Sequence, residues 1–543
     1  MGRSAFSHHI AWVGSFVLTL SVAMVPAAAA NGETTAPRTT LLLHADRPGP
    51  RIAPEIYGQF VEHLGRGVYE GIWVGEDSPI PNTRGIRNDV TQALRQAKVP
   101  VIRWPGGCFA DGYHWRDGIG PRDKRPRSIN AAWGNAPDSN AFGTHEFMDF
   151  LDQIGARPFV SVNVGSGSVR EADEWLRYMT APVESSAGAE RAANGRAAPW
   201  AVPYVGVGNE SWGCGGKMTA ETYVAQYRQY AANLRTFGGG PTKLIAVGAD
   251  TDDYEWTEKV MAGTMKSRPH PTPLAYINPR PLLWGLSLHF YTFTGNDWYA
   301  KGRNVGFTRD DWAKALGRAQ LTDEMVRRHS AIMDRYDPEK KVALVVDEWG
   351  AWFNSEKDAP SALYLESTLR DAVIAGLSLN IFNNHADRVR MANIAQMVNV
   401  IQSLILTRGK EMVVTPTWHV FDLYKVHQGA TQIPVDVDTP DYVQGTTRLP
   451  TISASASRDA AGKLHLSIVN LDPDKPAPVD MVASALSGRR AQASAITADR
   501  IDRPVQFGQP DPFVPQPVKA IATRGDRLTL TVPARSVTLV TVE

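Results

Sequence analysis

The sequence predicts an α/β fold: a (β/α)8 TIM barrel followed by a C-terminal antiparallel β-sandwich that also takes in an N-terminal strand. Three observations lead there. Between about residues 67 and 425, eight short apolar runs alternate with amphipathic helical stretches. Polar residues collect at the C-terminal ends of those runs. In a closed barrel such ends converge on one mouth, whereas in a doubly wound open sheet, the runner-up fold, they spread along an edge. Beyond about residue 425 the texture becomes strict alternation of apolar and polar residues with proline-rich loops, the pattern of strands that bury one face.

The candidate staves are "GVYEGIWV" (67–74), "VPVIRWPGG" (99–107), "RPFVSVNVG" (157–165), "VPYVGVGNE" (202–210), "KLIAVGAD" (243–250), "LLWGLSLHFYT" (282–292), "KVALVVDEWG" (341–350) and "LSLNIFNNH" (377–385). Several lack alternation, as parallel strands buried on both faces do. Between them, "RNDVTQALRQAKV" sets Val90, Leu94 and Ala97 on one helical face, and "HEFMDFLDQIG" does so with Phe147, Leu151 and Ile154. "TAETYVAQYRQYAANLRTFGGG" carries Tyr223, Tyr227, Tyr230, Leu234 and Phe237 at helical spacing before a glycine stop. That aromatic stripe reads as a helix packing on a sheet. Residues 183–199 read as a polar, small-residue loop. "TTLLLHADR" (39–47) reads as a strand the barrel does not need, and is assigned with the rest of 39–66 to pack against the C-terminal β-domain and lead into the barrel. The expected division is therefore 1–30, 39–66, a barrel over 67–425 and a sandwich over 426–543.

The first thirty residues differ from the rest. Arg3 is followed by an apolar run from Ile10 to Val25 and then by "PAAAAN". This reads as a secretory signal peptide cleaved near Ala30, with a retained membrane anchor as the alternative. The expectation is export to the periplasm or outside the cell, with no membrane association after cleavage. The 543 residues carry a formal net charge of +1, so no whole-chain field points to nucleic acid or lipid. There are two cysteines, no His-Glu-x-x-His pattern and no carboxylate-rich calcium loop. The sequence predicts neither metal nor cofactor.

Chemistry gathers at the strand exits: Arg103 after the second stave, Asn209 and Glu210 after the fourth, His289 and Tyr291 after the sixth, Asp347 and Glu348 after the seventh. Glu210 and Glu348 each follow a strand too apolar to solvate a charge, and each has tryptophan neighbours. A lone Glu in such a place can be a salt-bridge partner. Two at one mouth are what glycosidic cleavage needs: one to protonate the leaving oxygen, the other to attack or stabilise the sugar centre. "NVGSGSVR" has Arg170 where a dinucleotide fingerprint needs its third glycine, and "PGGCFADG" lacks the Lys-Ser/Thr pair of a phosphate loop.

"GNESWGCGG" and "VVDEWGAW" resemble the acid/base and nucleophile segments of glycoside hydrolase family 51 α-L-arabinofuranosidases. "IYGQFVEHLGRGVYEGIWVG", "VIRWPGGCFADGYHWRDGIGPR", "EWLRYMT" and "MANIAQMVNVIQSLI" are similar to that family too, in the same order. The resemblance runs from about residue 39 to the C-terminus and is strongest in the barrel. It implies an exo-acting, retaining enzyme that releases terminal arabinofuranose from plant polysaccharides or oligosaccharides. Another retaining glycosidase on the same barrel, a β-xylosidase or endoglucanase, and a non-catalytic carbohydrate-binding protein are the alternatives.

The resemblance also implies roles. Glu210 would be the acid/base and Glu348 the nucleophile. Asn209 would bond the sugar 2-hydroxyl, and Glu62 and Gln396 other hydroxyls. Tyr291 would bond the nucleophile, His289 would sit beside the acid/base, and Arg103 would hold the nucleophile ionised. Many relatives have Asn where this chain has Cys108, which alters one hydroxyl contact. Cys108 and Cys214 are expected near the mouth, either paired or as two free thiols. Relatives often assemble into oligomers, so the resemblance also raises the expectation of a homo-oligomer.

Overall fold

The computed structural model describes residues 38–238, 242–265, 283–295 and 297–543. Its centre is a closed barrel of eight strands: β1 (Gly58–Phe60), β2 (Val101–Trp104), β3 (Arg157–Val162), β4 (Tyr204–Val207), β5 (Lys243–Asp250), β6 (Gly285–Thr292), β7 (Ala343–Ala351) and β8 (Val389–Ile394). Each pairs in parallel with the next in sequence, and β8 closes on β1 through Asn393↔Gly58 and Ile394↔Gln59. The interior is packed, with Val101, Phe159, Tyr204, Ile245, Val345 and Met391 forming one cluster. This is a filled barrel, whose working face is therefore its rim.

Two of the eight expected staves lie elsewhere. The run 67–74 is a tight turn, not a strand. Glu70 takes a left-handed φ of 64°, and a Cβ on Gly71 would sit 2.3 Å from the Arg66 carbonyl oxygen. The first stave is instead the three-residue β1, where a Cβ on Gly58 would collide with the Ala392 carbonyl at 2.7 Å and with Val101 at 2.8 Å. "LSLNIFNNH" belongs to the helix Leu369–Asn384, and the last stave is β8. That helix is covered all round, with residues Leu369 to Asn383 all buried between the barrel and the six-stranded C-terminal sheet. An apolar run without periodicity does not separate a doubly buried helix from a buried strand. Within 183–199, Ser186–Ala193 is a helix, capped by the Ser185 hydroxyl accepting the Gly188 N–H at 3.0 Å. The tyrosine-striped helix is Ala220–Asn233, so Leu234 and Phe237 lie beyond its end.

The C-terminal strands form two sheets. One has five strands, in the order Val435–Asp438, Thr39–Leu43, Ala477–Val482, Arg527–Val532 and Ala522–Arg524. The other has six: Thr431–Ile433, Ile452–Arg458, Leu464–Asn470, Ser536–Val542, Ala491–Ile496 and Gln516–Pro517. Leu41, Leu43, Leu466, Met481, Leu530 and Val540 fill the space between them. Pairing is antiparallel except where Thr39–Leu43 runs parallel to Ala477–Val482. Among the described residues, no helix is long and apolar enough to cross a membrane.

Candidate active site

Three registers slip near the C-terminal rim: between Ala246 and Ala249, between Ser287 and His289, and between Val346 and Trp349. In a regular strand Asp347 and Glu348 would face opposite ways. At the irregularity both reach Arg103: Asp347 Oδ2 lies 3.4 Å from Nε, and Glu348 Oε1 lies 2.9 Å from Nη1. An extra residue in a strand re-aims side chains in this way. Arg103 is buried with its guanidinium 4.7 Å from the Phe60 ring centre. Burial opposes its charge, but Asp347 and Glu348 outweigh that and raise its pKa.

Glu348 also accepts a hydrogen bond from Tyr291 Oη, at 2.8 Å on Oε2. Across the mouth, Glu210 Oε1 meets His289 Nδ1 at 2.8 Å. The same Nδ1 lies 3.7 Å from Glu348 Oε2, and His289 Nε2 lies 3.3 Å from Asp347 Oδ1. Burial lowers the His289 pKa, but Glu348, Asp347 and Glu210 reverse that and hold the imidazole well above its usual range. Burial pushes the Glu210 carboxyl up; the His289 contact opposes this and the charge of Glu348 reinforces it. One oxygen of Glu210 and one of Glu348 lie within 4.8 Å of each other, with His289 between them. These three could span a metal ion by distance alone, but both His289 nitrogens already face carboxylates and Glu348 is paired with Arg103.

Asn209 is held from the side: its Oδ1 accepts from Arg103 Nη2, which leaves Nδ2 facing the pocket wall near Cys214 Sγ at 3.8 Å. Glu62 follows β1. Its Oε1 accepts the Phe109 N–H at 2.9 Å and Trp133 Nε1 at 2.7 Å, and its Oε2 accepts Gln396 Nε2 at 3.2 Å. Burial pushes its carboxyl up to about 7 despite the Phe109 and Trp133 donors. A Cβ on Gly107 would lie 3.1 Å from Glu348 Oε1 and 3.2 Å from Glu62 Oε2. A glycine there keeps the space between those two carboxylates free. Cys108 and Cys214 form a disulfide, and their sulfurs lie 3.9 and 3.7 Å from Glu210 Oε2.

Glu62, Cys108, Asn209, Glu210, His289, Tyr291, Glu348 and Gln396 all line one cavity of about 640 Å³, with Arg103 beneath it. Trp133, Trp298 and Trp352 complete its wall, and Trp298 meets Trp352 edge-on at 4.7 Å. Sequence reasoning did not single out Trp133, Trp298 or the buried Asp111. The indole of Trp133 arrives on the hairpin Ser128–Asn130/Ala136–Asp138, and nothing in its neighbouring residues marks it as a partner of Glu62. A more open hollow of about 390 Å³ lies away from the mouth. Its charges pair with each other, Arg84 with Asp149 and Arg122 with Glu146.

A TIM barrel with two facing carboxylates in an aromatic-walled cavity defines a glycosidase of the carboxylate-pair class. Known proteins narrow this. The α-L-arabinofuranosidase 1 domain matches residues 93–273, and the α-L-arabinofuranosidase C-terminal domain matches residues 347–536. An intracellular exo-α-L-arabinofuranosidase of Bacteroides ovatus is 43% identical over 501 residues, covering 92% of this chain and 94% of the relative. The crystal structure of the family 51 arabinofuranosidase from Xanthomonas axonopodis pv. citri superimposes with a TM-score of 0.89 at 44% identity, covering 94% of this chain and all (100%) of that one. An α-L-arabinofuranosidase from Thermotoga maritima, in complex with arabinose, gives 0.79 at 27% identity with the same coverage, 94% and 100%. The chain belongs to the α-L-arabinofuranosidases of glycoside hydrolase family 51, a retaining family, and its substrates contain arabinose. The β-xylosidase, endoglucanase and binding-protein alternatives are not favoured. The expectation of export is corrected: the B. ovatus relative is named intracellular, and the N-terminal segment that prompted the expectation lies outside the described residues.

Proposed function

We propose that the enzyme removes terminal α-L-arabinofuranosyl residues from plant polysaccharide side chains by double displacement, with Glu348 as nucleophile and Glu210 as acid/base. The observation that carries this is the approach of the two carboxylates to within 4.8 Å. Facing oxygens that near favour the closer carboxyl spacing of about 5–5.5 Å used with a covalent intermediate over the roughly 6.5–9.5 Å that admits an attacking water. A Glu348 oxygen bonds to the anomeric carbon as the C–O bond to the leaving group breaks, and Glu210 gives its proton to the departing oxygen. Glu210, now a carboxylate, then takes a proton from water. The water oxygen attacks the anomeric carbon and the ester to Glu348 breaks, returning both groups to their starting states.

The surroundings suit these roles. The raised pKa of Glu210 keeps a proton available. Arg103 and Tyr291 hold Glu348 in place. Asn209 Nδ2, Glu62 and Gln396 are set to meet ring hydroxyls. Cavity walls on several sides favour a chain end over an internal unit. The test is hydrolysis of 4-nitrophenyl α-L-arabinofuranoside with Glu348→Ala alongside. Release by the wild type and a fall on the order of 10³-fold or more in the variant is expected. Undiminished turnover by Glu348→Ala would overturn the assignment.

A further inference from the structure

Asp111 lies on the short turn Cys108–Gly112 that follows β2, and it is 5% exposed. Its Oδ1 accepts the backbone N–H groups of Val164 at 2.9 Å and Gly165 at 3.1 Å, just past β3. Its Oδ2 accepts the backbone N–H of Asn209 at 3.0 Å, the residue before Glu210. Its own carbonyl accepts Ser166 N–H at 3.1 Å and Ser166 Oγ–H at 3.0 Å. One side chain therefore ties the exits of β2, β3 and β4 together. Among the described residues it has no salt-bridge partner, and its side chain accepts from three N–H groups. A carboxylate is the side chain that accepts on both oxygens while offering no donor; asparagine would turn an NH2 against one of those N–H groups.

The surroundings are fitted to that carboxylate. A Cβ on Gly215 would lie 2.4 Å from Asp111 Oδ2, and one on Gly165 would lie 2.9 Å from Asp111 Cβ. Asn209 is gripped at both ends, its N–H by Asp111 and its Oδ1 by Arg103, whose other arm holds Glu348. The chain Asp111–Asn209–Arg103–Glu348 thus relates the level of the β4 exit to the level of Glu348. The disulfide from Cys108, on the same turn, grips the loop a second time on the far side of Glu210.

We propose that Asp111 is a positioning residue for the acid/base: it fixes where Asn209 and Glu210 leave β4, and so sets Glu210 at the height of the leaving-group oxygen. This rests on the reading of Glu210 as acid/base. A displaced proton donor matters most when the leaving group is a poor one. The experiment measures kcat/KM, which reports the bond-breaking step, for 2,4-dinitrophenyl, 4-nitrophenyl and phenyl α-L-arabinofuranosides. The enzymes are wild type, Asp111→Asn, Gly215→Ala and Glu210→Ala, each checked by thermal unfolding.

Asp111→Asn is expected to lose no more than about threefold on the dinitrophenyl substrate and at least about tenfold on the phenyl one, a part of the 10²–10⁴ that general acid catalysis supplies. Gly215→Ala, which presses on the same carboxylate without changing a charge, is expected to show the same tilt and covers the case in which Asp111→Asn does not fold. An equal loss on all three substrates, or none, in the folded variants overturns the proposal. If Glu210→Ala shows the tilt and the other two do not, only the positioning role fails. If Glu210→Ala shows none, the acid/base reading fails first.

Discussion

Glu348 and Glu210 face one another across the mouth, and the protein holds them differently. Glu348 sits within β7, its side chain 8% exposed, against the guanidinium of Arg103 and the hydroxyl of Tyr291. Glu210 sits on a glycine-rich loop past β4, its side chain 20% exposed, with His289 as its close polar partner. On the proposed roles, the group that forms a bond at one point in space is the one embedded in a strand and anchored by a buried cation. The group proposed to give and regain a proton is the one placed on a loop, partly open, beside the His289 imidazole. Sharing a barrel rim does not make two carboxylates equivalent; the depth of the element beneath each separates them.

The comparison can be broken most directly by deleting each carboxylate. Glu348→Ala is expected to lose on the order of 10³-fold or more for every leaving group. Glu210→Ala should spare activated substrates relative to unactivated ones. Equal profiles from the two variants in parallel assays would erase the distinction. Arg103→Ala comes next. It strands Asp347 and Glu348 without their buried partner, and a loss of about 3–5 kcal/mol in unfolding free energy is expected. Denaturant titration checks it, and an unchanged midpoint would show that Glu348 is anchored by other means.

Tyr291→Phe removes one hydrogen bond to the Glu348 carboxylate. About 1.5–3 kcal/mol for such a bond predicts roughly a ten- to hundredfold fall in kcat/KM, measured on the 4-nitrophenyl substrate. Cys214→Ser opens a disulfide whose ends are 106 residues apart. It is expected to cost about 2–4 kcal/mol of stability, seen as a lower melting temperature under non-reducing conditions.

The pH-dependent effect concerns Glu62. Its carboxyl is raised from 4.5 to about 7 in the folded protein. A raised pKa contributes stability that is complete below about pH 4.5 and lost as pH rises through about 7. Melting temperatures measured across that window should fall more steeply in the wild type than in Glu62→Gln. Parallel curves would show that Glu62 does not titrate there.

Much of the site was legible because its signals are local. "GNE" and "DEWG" each put a carboxylate at the end of an apolar run, and the structure brings both to one cavity. The barrel was legible from alternation, although the count of eight rested on two wrong members. Gly58–Phe60 is too short and too glycine-bound to read as a strand, and residues 377–384 lose helical periodicity because every face is covered. Asp111 gave no signal, since "CFADG" looks like a surface turn and its partners are backbone N–H groups from two other staves. The slipped register that turns both Asp347 and Glu348 toward Arg103 was invisible for the same kind of reason. It depends on pairing between strands, and neither strand records it alone.

The helix Leu369–Asn384 has a practical meaning for anyone who would cut or splice this chain. Its inner side packs on the barrel, and its outer side meets the strands Ile452–Arg458 and Leu464–Asn470, with Asn383 bonded to both Tyr57 and Ser455. Gly376 lets the backbone come within touching distance of Val469 and Val537. Residue 425 marks a change of sequence texture, yet it is no perforation in the molecule. A barrel trimmed there would surface with a greasy helix on show, and a foreign sandwich grafted in its place would have to reproduce the imprint of that helix. The catalytic half and the β half are separable on paper and share one spine in three dimensions.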